Sequence, residues 1–230
     1  MLAVRIIPTL LTRGRQLVKG RQFNAWRSVG VTEQAVRIHQ MRGVDELILL
    51  DIGATPAGNG PDFELVSRLT ERCFMPLTVG GGVKTFEDVR GLLGSGADKV
   101  AIRTEVGLIP IASSAVGRQA IVAAVDYLDG DAVVDRCLKL EHMGAGEILL
   151  TSMTREGTME GYHLDMIRAV AGSVSIPVIA HGGCRDYEDM HQAIKAGASA
   201  VAAGALFQFT DATPRGAAEY LQAKGVEVRL

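Results

Sequence analysis

The chain repeats itself at a fixed offset of 101 residues, and this constrains its fold more than any single motif. Thr78–Val89 reads TVGGGVKTFEDV and Ile179–Met190 reads IAHGGCRDYEDM. Gly94–Thr104 (GSGADKVAIRT) matches Lys195–Ala205 (KAGASAVAAGA), and Gly43–Leu49 (GVDELIL) matches Gly144–Leu150 (GAGEILL), at the same offset. Self-similarity on this scale marks a fold assembled from copies of one structural unit.

The unit is a strand followed by a helix. Apolar runs at Arg5–Leu11, Glu46–Asp51, Leu77–Val79, Lys99–Ile102, Ala120–Val125, Glu147–Leu150, Val178–Ala180 and Ala200–Ala203 lack strict polar alternation. Parallel strands covered on both faces have this character. Helical patterns separate them at Thr32–Met41, Asp62–Arg72, Phe86–Leu93, Ile109–Ala115, Asp131–Met143, Leu164–Val170, Tyr187–Ala196 and Pro214–Ala223. Pattern alone also allows an open doubly wound sheet. Twofold repetition of four units completes eight strands and favours closure. The expectation is one α/β domain over residues 1–230, a (β/α)8 TIM barrel of the phosphate-binding type. Its half-barrels are about 1–115 and 116–230.

The halves differ in their first loops. Leu11 ends the first apolar run 35 positions before Glu46, whereas Asp126 stands only 21 positions before Glu147. The first loop, Thr12 to Val31, is long, basic and glycine-containing, and reads as a mobile flap carrying Phe23 and Trp26. The fifth is very short.

A formal charge of -2 gives no support for nucleic acid or an anionic membrane as a main partner, so anionic ligands need local features. Cys73, Cys137 and Cys184 are isolated and without CxxC spacing, which points to reduced, cytoplasmic thiols. No signal peptide or membrane-spanning run is read from the sequence. Without HxxxH or CxxC spacing, neither a metal nor another cofactor is expected.

Two glycine clusters follow symmetric strands: Gly80, Gly81 and Gly82, then Gly182 and Gly183. Such turns expose backbone N–H groups to a phosphate at a helix N-terminus. Each has a companion turn after the next strand, Arg103–Thr104 and Gly204–Ala205. Two equivalent cradles suggest a phosphorylated small molecule with a phosphate at each end. Tight turns without ligand are the alternative. Asp51 and Asp126 close strands where barrel enzymes place catalytic groups. Asp126 ends the apolar run VAAVD, which should raise its pKa by desolvation and suit it to acid–base work. Loop anchoring or helix capping is the competing role for both. Thr151 ends strand six, and His181 stands against Gly182 within reach of ligand. His39, His142 and His191 fall in helical patterns and are expected at the solvated surface, and His163 in a loop. Arg5, Glu46, Lys99 and Glu147 open their strands at the opposite mouth, where a charged ring can close the barrel.

The strings RIIP, LVKG, GVDELILLDI, TVGGGV, GADKVAI, GAGEILLTSM, the R-E-GT and GY pair, and HGG resemble the cyclase subunit family of imidazole glycerol phosphate synthase, HisF. The resemblance runs from Met1 to Leu230, and GAGEILLTS with DELILLDI sets it apart from the related isomerase barrel of histidine biosynthesis. It implies a glutamine amidotransferase docked on the barrel bottom and ammonia passing through the barrel. Arg5, Glu46, Lys99 and Glu147 match the gate, and Asp98 matches a docking-face acid. Lys19 and Asp126 match catalytic positions. Gly82, Thr104, Gly157 and Gly183 match phosphate-site positions.

Departures from the family are concentrated at the top. Leu11 stands where cyclases carry a carboxylate. Arg103 replaces an asparagine, Glu156 an aspartate and Ala205 a serine, and the fifth loop is largely missing. The string RIIPTLL resembles a branch associated with glycosyl amidation in surface-polysaccharide synthesis. The expected function is therefore an ammonia-conducting subunit of an amidation pathway. The alternatives are a genuine cyclase, a lyase of histidine biosynthesis, and an unrelated phosphosugar isomerase on the same fold.

Overall fold

The strands, in chain order, are β1 (Arg5–Arg13), β2 (Gln16–Arg21), β3 (Asn24–Val31), β4 (Leu47–Asp51), β5 (Leu77–Gly80), β6 (Lys99–Ile102), β7 (Ile121–Tyr127), β8 (Glu147–Ser152), β9 (Val178–His181) and β10 (Ala200–Ala203). The helices are α1 (Thr32–Met41), α2 (Phe63–Thr70), α3 (Phe86–Gly94), α4 (Ile109–Val116), α5 (Val133–His142), α6 (Leu164–Ala171), α7 (Tyr187–Lys195), α8 (Ala205–Phe209) and α9 (Pro214–Ala223). They come from a computed structural model that describes residues 3–229. Met1, Leu2 and Leu230, the extremes of the family resemblance, lie outside the described residues.

β1 and β4 to β10 form a parallel sheet that closes where β1 pairs β10, with Arg5 opposite Ala200 and Pro8 opposite Ala203. Helices cover the outside, giving the expected (β/α)8 barrel. Both faces of each strand are apolar because both are buried. Ile7, Ile48, Ala101, Val122, Leu149, Ile179, Ala200 and Ala202 point inward and form a small core of their own. Their sequence neighbours, such as Leu47, Leu49, Ile121 and Ile148, point outward into the larger core under the helices. The repeat extends to the caps. Thr85 starts α3 with a capping box to Asp88, and Asp186, 101 residues on, starts α7 by accepting from Asp189 N–H.

The first loop is not a flap without structure. β1 has nine residues and β10 only four, so past Pro8 one edge of β1 is left without β10. The chain turns at Gly14 (φ +60°) and folds back, pairing Leu11 with Val18 and Arg13 with Gln16. β3 then pairs β2, so Thr12 to Val31 is a β-hairpin extending the barrel wall. Leu11 accordingly lies within β1 rather than at its end. His39 is a further correction. With Thr32 and Val36 it lies on the buried face of α1, 3% exposed, its Nδ1 without a hydrogen-bond partner. Among the described residues no helix is long and apolar enough to cross a membrane.

Candidate functional site

The C-terminal strand ends surround an open cavity of about 410 Å³, roofed by Phe23 and Trp26 of the hairpin. Their rings meet edge to face at 6.2 Å. Strand alternation selects what enters the top layer. Leu11 and Leu50 stand opposite each other on β1 and β4. Asp126, Thr151 and His181 stand in one row across β7, β8 and β9. The floor is thus apolar on one side and polar on the other.

Burial pushes the Asp126 carboxyl above its usual range, and the Arg103 guanidinium, then the Thr151 hydroxyl, oppose the rise. Arg103 Nε lies 2.7 Å from Asp126 Oδ2. Thr151 Oγ1 lies 3.1 Å from His181 Nδ1. Burial, with the Lys19 ammonium nearby, lowers the His181 pKa to about 3, so the imidazole is neutral at physiological pH. Asp51 also lines the cavity, but its Oδ1 accepts from the N–H groups of Gly53 (2.8 Å) and Ala54 (3.1 Å). It anchors its own loop, and burial raises its pKa despite those bonds.

The proposed phosphate residues fall into two groups. Gly81, Gly82, Arg103 and Thr104 line the open cavity. Gly157, Gly182, Gly183, Gly204 and Ala205 line a separate recess of about 10 Å³ with Lys19, Glu156 and His181. Gly82 (φ +72°) and Gly183 (φ +98°) need the conformation that glycine alone adopts readily. Lys19 lies in a strand rather than in irregular loop. It sits in β2, 4% exposed, with Nζ 2.7 Å from Glu156 Oε1. Sequence reasoning noted Glu156 only as a departure from the family and missed this pairing. The repeat held the signal, because Glu156 stands 101 residues after Thr55, whose hydroxyl accepts from Gly82 N–H. A second recess of about 290 Å³ opens beside Arg103, Asp126 and Arg136, where the fifth loop is only Leu128 to Ala132.

At the opposite mouth the four charges form a closed ring. Arg5 bridges Glu46 and Glu147, and so does Lys99 at 3.1 Å from each. Burial disfavours the Glu46 carboxylate, but Arg5 and Lys99 outweigh it and hold its pKa below the usual range. Thr78 Oγ1 donates to Glu46 at 2.9 Å. Asp98, exposed beside Lys99, accepts from Leu77 N–H at 2.8 Å. Between ring and cavity lies the apolar interior, in which β6 and β10 contribute only alanines.

These features can be set beside known proteins. Over the full length of both chains, this protein is 39% identical to a Dictyoglomus thermophilum protein named imidazole glycerol phosphate synthase subunit HisF. It is equally similar, 39% over both full lengths, to a Campylobacter jejuni protein provisionally named imidazole glycerol phosphate synthase subunit hisF2. A model of the histidine biosynthesis protein family matches residues 5–213, nearly the whole barrel. The chain therefore belongs to the histidine biosynthesis protein family, as a HisF-like barrel.

Proposed function

We propose that this chain is the ammonia-accepting subunit of a glutamine-dependent synthase. A glutamine amidotransferase docks at the bottom mouth, around Arg5, Glu46, Lys99 and Glu147, with Asp98 on the docking face. Ammonia crosses the apolar interior to the upper cavity, which also binds a phosphorylated small molecule. From there it is delivered to an amidation reaction, in the modification of a surface-polysaccharide sugar. The observation that carries this reading is the axis itself: a ring of paired charges, then an interior of apolar side chains, then an open polar cavity. A ring with every charge paired seals the mouth against ions, and because its carboxylates are largely buried, opening it requires new partners for the separated charges.

The second reading is a genuine cyclase, and the full-length identity to a subunit named HisF favours it. Ring closure needs proton transfers on both sides of the reacting centre, a task suited to two positioned carboxylates. The inward top layer offers Asp126, already paired with Arg103, and Leu11 in place of the second. The test is direct. With ammonium salt supplied, the isolated barrel should not consume the cyclase's bisphosphate substrate, whereas coexpression with a glutamine amidotransferase subunit from the same organism should give a complex with enhanced glutamine hydrolysis. Turnover within tenfold of an ordinary cyclase would establish the second reading instead. Loss of the complex on gel filtration with unchanged hydrolysis would end the first.

A further inference from the structure

The repeat gives the barrel two equivalent corners at its top, and the chain fills them differently. At the 101-residue offset Arg103 corresponds to Gly204, and Arg136 to Ala35. Between β10, β1 and α1 the hairpin fills the corner. α1 packs against β2 and β3, and a Cβ added at Gly204 would lie 3.1 Å from Lys19 Nζ. Between β6, β7 and α5 there is no hairpin. The fifth loop runs only from Leu128 to Ala132, and the recess of about 290 Å³ stands open. Two guanidinium groups line it where the other corner has glycine and alanine.

The recess adjoins the upper cavity, since Arg103, Thr104, Ala124 and Asp126 line both. Arg103 is engaged by the Asp126 carboxylate. Arg136 has no such partner. It is exposed, its Nη2 donates to the main-chain carbonyl of Asp126, and among the described residues it forms no salt bridge. The two carboxylates of the fifth loop are turned elsewhere: Asp131 accepts from Leu128 N–H, and Asp129 accepts from Thr154 Oγ1 and faces His163. One carboxylate thus stands against two guanidinium groups, and the recess carries excess positive charge. A guanidinium offers five N–H donors in a planar fork that fits two oxygens of a phosphate or carboxylate. Val106 and Leu140 supply an apolar wall beside it, which strengthens a charge-assisted bond relative to open water.

We infer that this recess is a further anionic subsite, additional to the two glycine cradles, in which Arg136, with Arg103 at its edge, binds the oxyanion group of a small molecule entering from the side that the short fifth loop leaves open. The group is a phosphate or a carboxylate, which present the same oxygens to the fork. The subsite stands or falls independently of ammonia transfer and of what the cradles hold.

The experiment follows the arginine Nε–H and backbone amide signals of the whole protein by NMR while inorganic phosphate or acetate is added, with potassium chloride at matched ionic strength as the control. At least one of the two anions should shift Arg136 Nε–H together with the amides of Val106 and Leu140 in a saturable event, and chloride should not. Which anion does so tells phosphate from carboxylate. Signals of Gly82 and Gly183 report the cradles separately in the same spectra. Arg136→Met should weaken the event at Val106 and Leu140 by roughly 10-fold or more, the size of a lost charge-assisted hydrogen bond, and leave the responses of Gly82 and Gly183 as in the native protein. If that variant does not fold, the native titration decides alone. The inference is overturned if neither anion shifts Arg136, if chloride shifts it equally, or if the folded Arg136→Met protein binds at Val106 and Leu140 with unchanged affinity.

Discussion

Asp126 illustrates how one neighbour sets the chemistry of a residue. Desolvation alone would make it a carboxyl of raised pKa. Arg103, 2.7 Å away, opposes that and favours the carboxylate. Replacing Arg103 by Met should move the Asp126 pKa further up, since the cation that holds it down is lost while its burial persists. A carboxyl-carbon NMR titration reads the shift directly, and a downward or absent shift would mean that Arg103 does not govern Asp126. Leu11→Asp is the complementary change. It returns a carboxylate to the inward layer, yet Arg103 still engages Asp126 and the fifth loop is still short. Ammonium-dependent consumption of the cyclase substrate should therefore stay at background in this variant. A rise of about 10²-fold, the scale of one acid–base group, would show that position 11 alone had disabled a cyclase.

At the scale of elements, the hairpin is the feature that sequence reading failed to anticipate. Its outer turn is made by Gln22 (φ +53°) and Phe23 (φ +58°), followed by Ala25 at φ +51°. Two-residue hairpins usually announce themselves by Asn-Gly or Gly at such positions, and this one does not. Its ladder contacts and its fastening to the loop after β8 hold it in a backbone conformation that disfavours side chains. Ala25→Gly should relieve part of that strain. A Cβ in the left-handed region costs about 1–2 kcal/mol, against about 0.5–1 kcal/mol of extra chain entropy for glycine. The net gain, up to about 1.5 kcal/mol by those figures, should appear as slower hydrogen exchange at Val18 and Lys19; faster exchange would show that Ala25 is not strained. The barrel strands and helices were legible because burial on both strand faces leaves a continuous apolar run and because Thr85 and Asp186 mark helix starts. The Lys19–Glu156 pair was not, since its partners are 137 residues apart and only a folded hairpin brings them together. His39 could have been placed correctly, as Thr32, Val36 and His39 share one face of a 3.6-residue period.

The buried histidines matter most for the molecule as a whole, because they tie global stability to pH. Burial, aided by Arg42, lowers the His39 pKa to about 4, and His181 is lowered to about 3. In the unfolded chain each returns to about 6.5. Between those values the unfolded chain binds protons that the native chain does not, so stability rises with pH there and is lost as pH falls below about 6.5. By the same linkage, each histidine should cost on the order of 2 kcal/mol of stability between pH 7.5 and pH 5. Glu46, held low by its ring partners, acts in the same direction but only in more acid solution. Asp51 and Asp126, with raised pKa values, act in the opposite sense, since their native forms take up protons more readily. A net acid slope in wild type therefore mixes signs, and a single substitution is needed to separate them. His39→Leu suits the purpose: the side chain is buried on the core face of α1, and its Nδ1 has no partner to lose. Urea unfolding at pH 7.5 and pH 5 should show the variant losing about 2 kcal/mol less than wild type across that interval. Equal losses in the two proteins would mean that His39 is protonated in the native state at pH 5 and that the α1 face admits a charge.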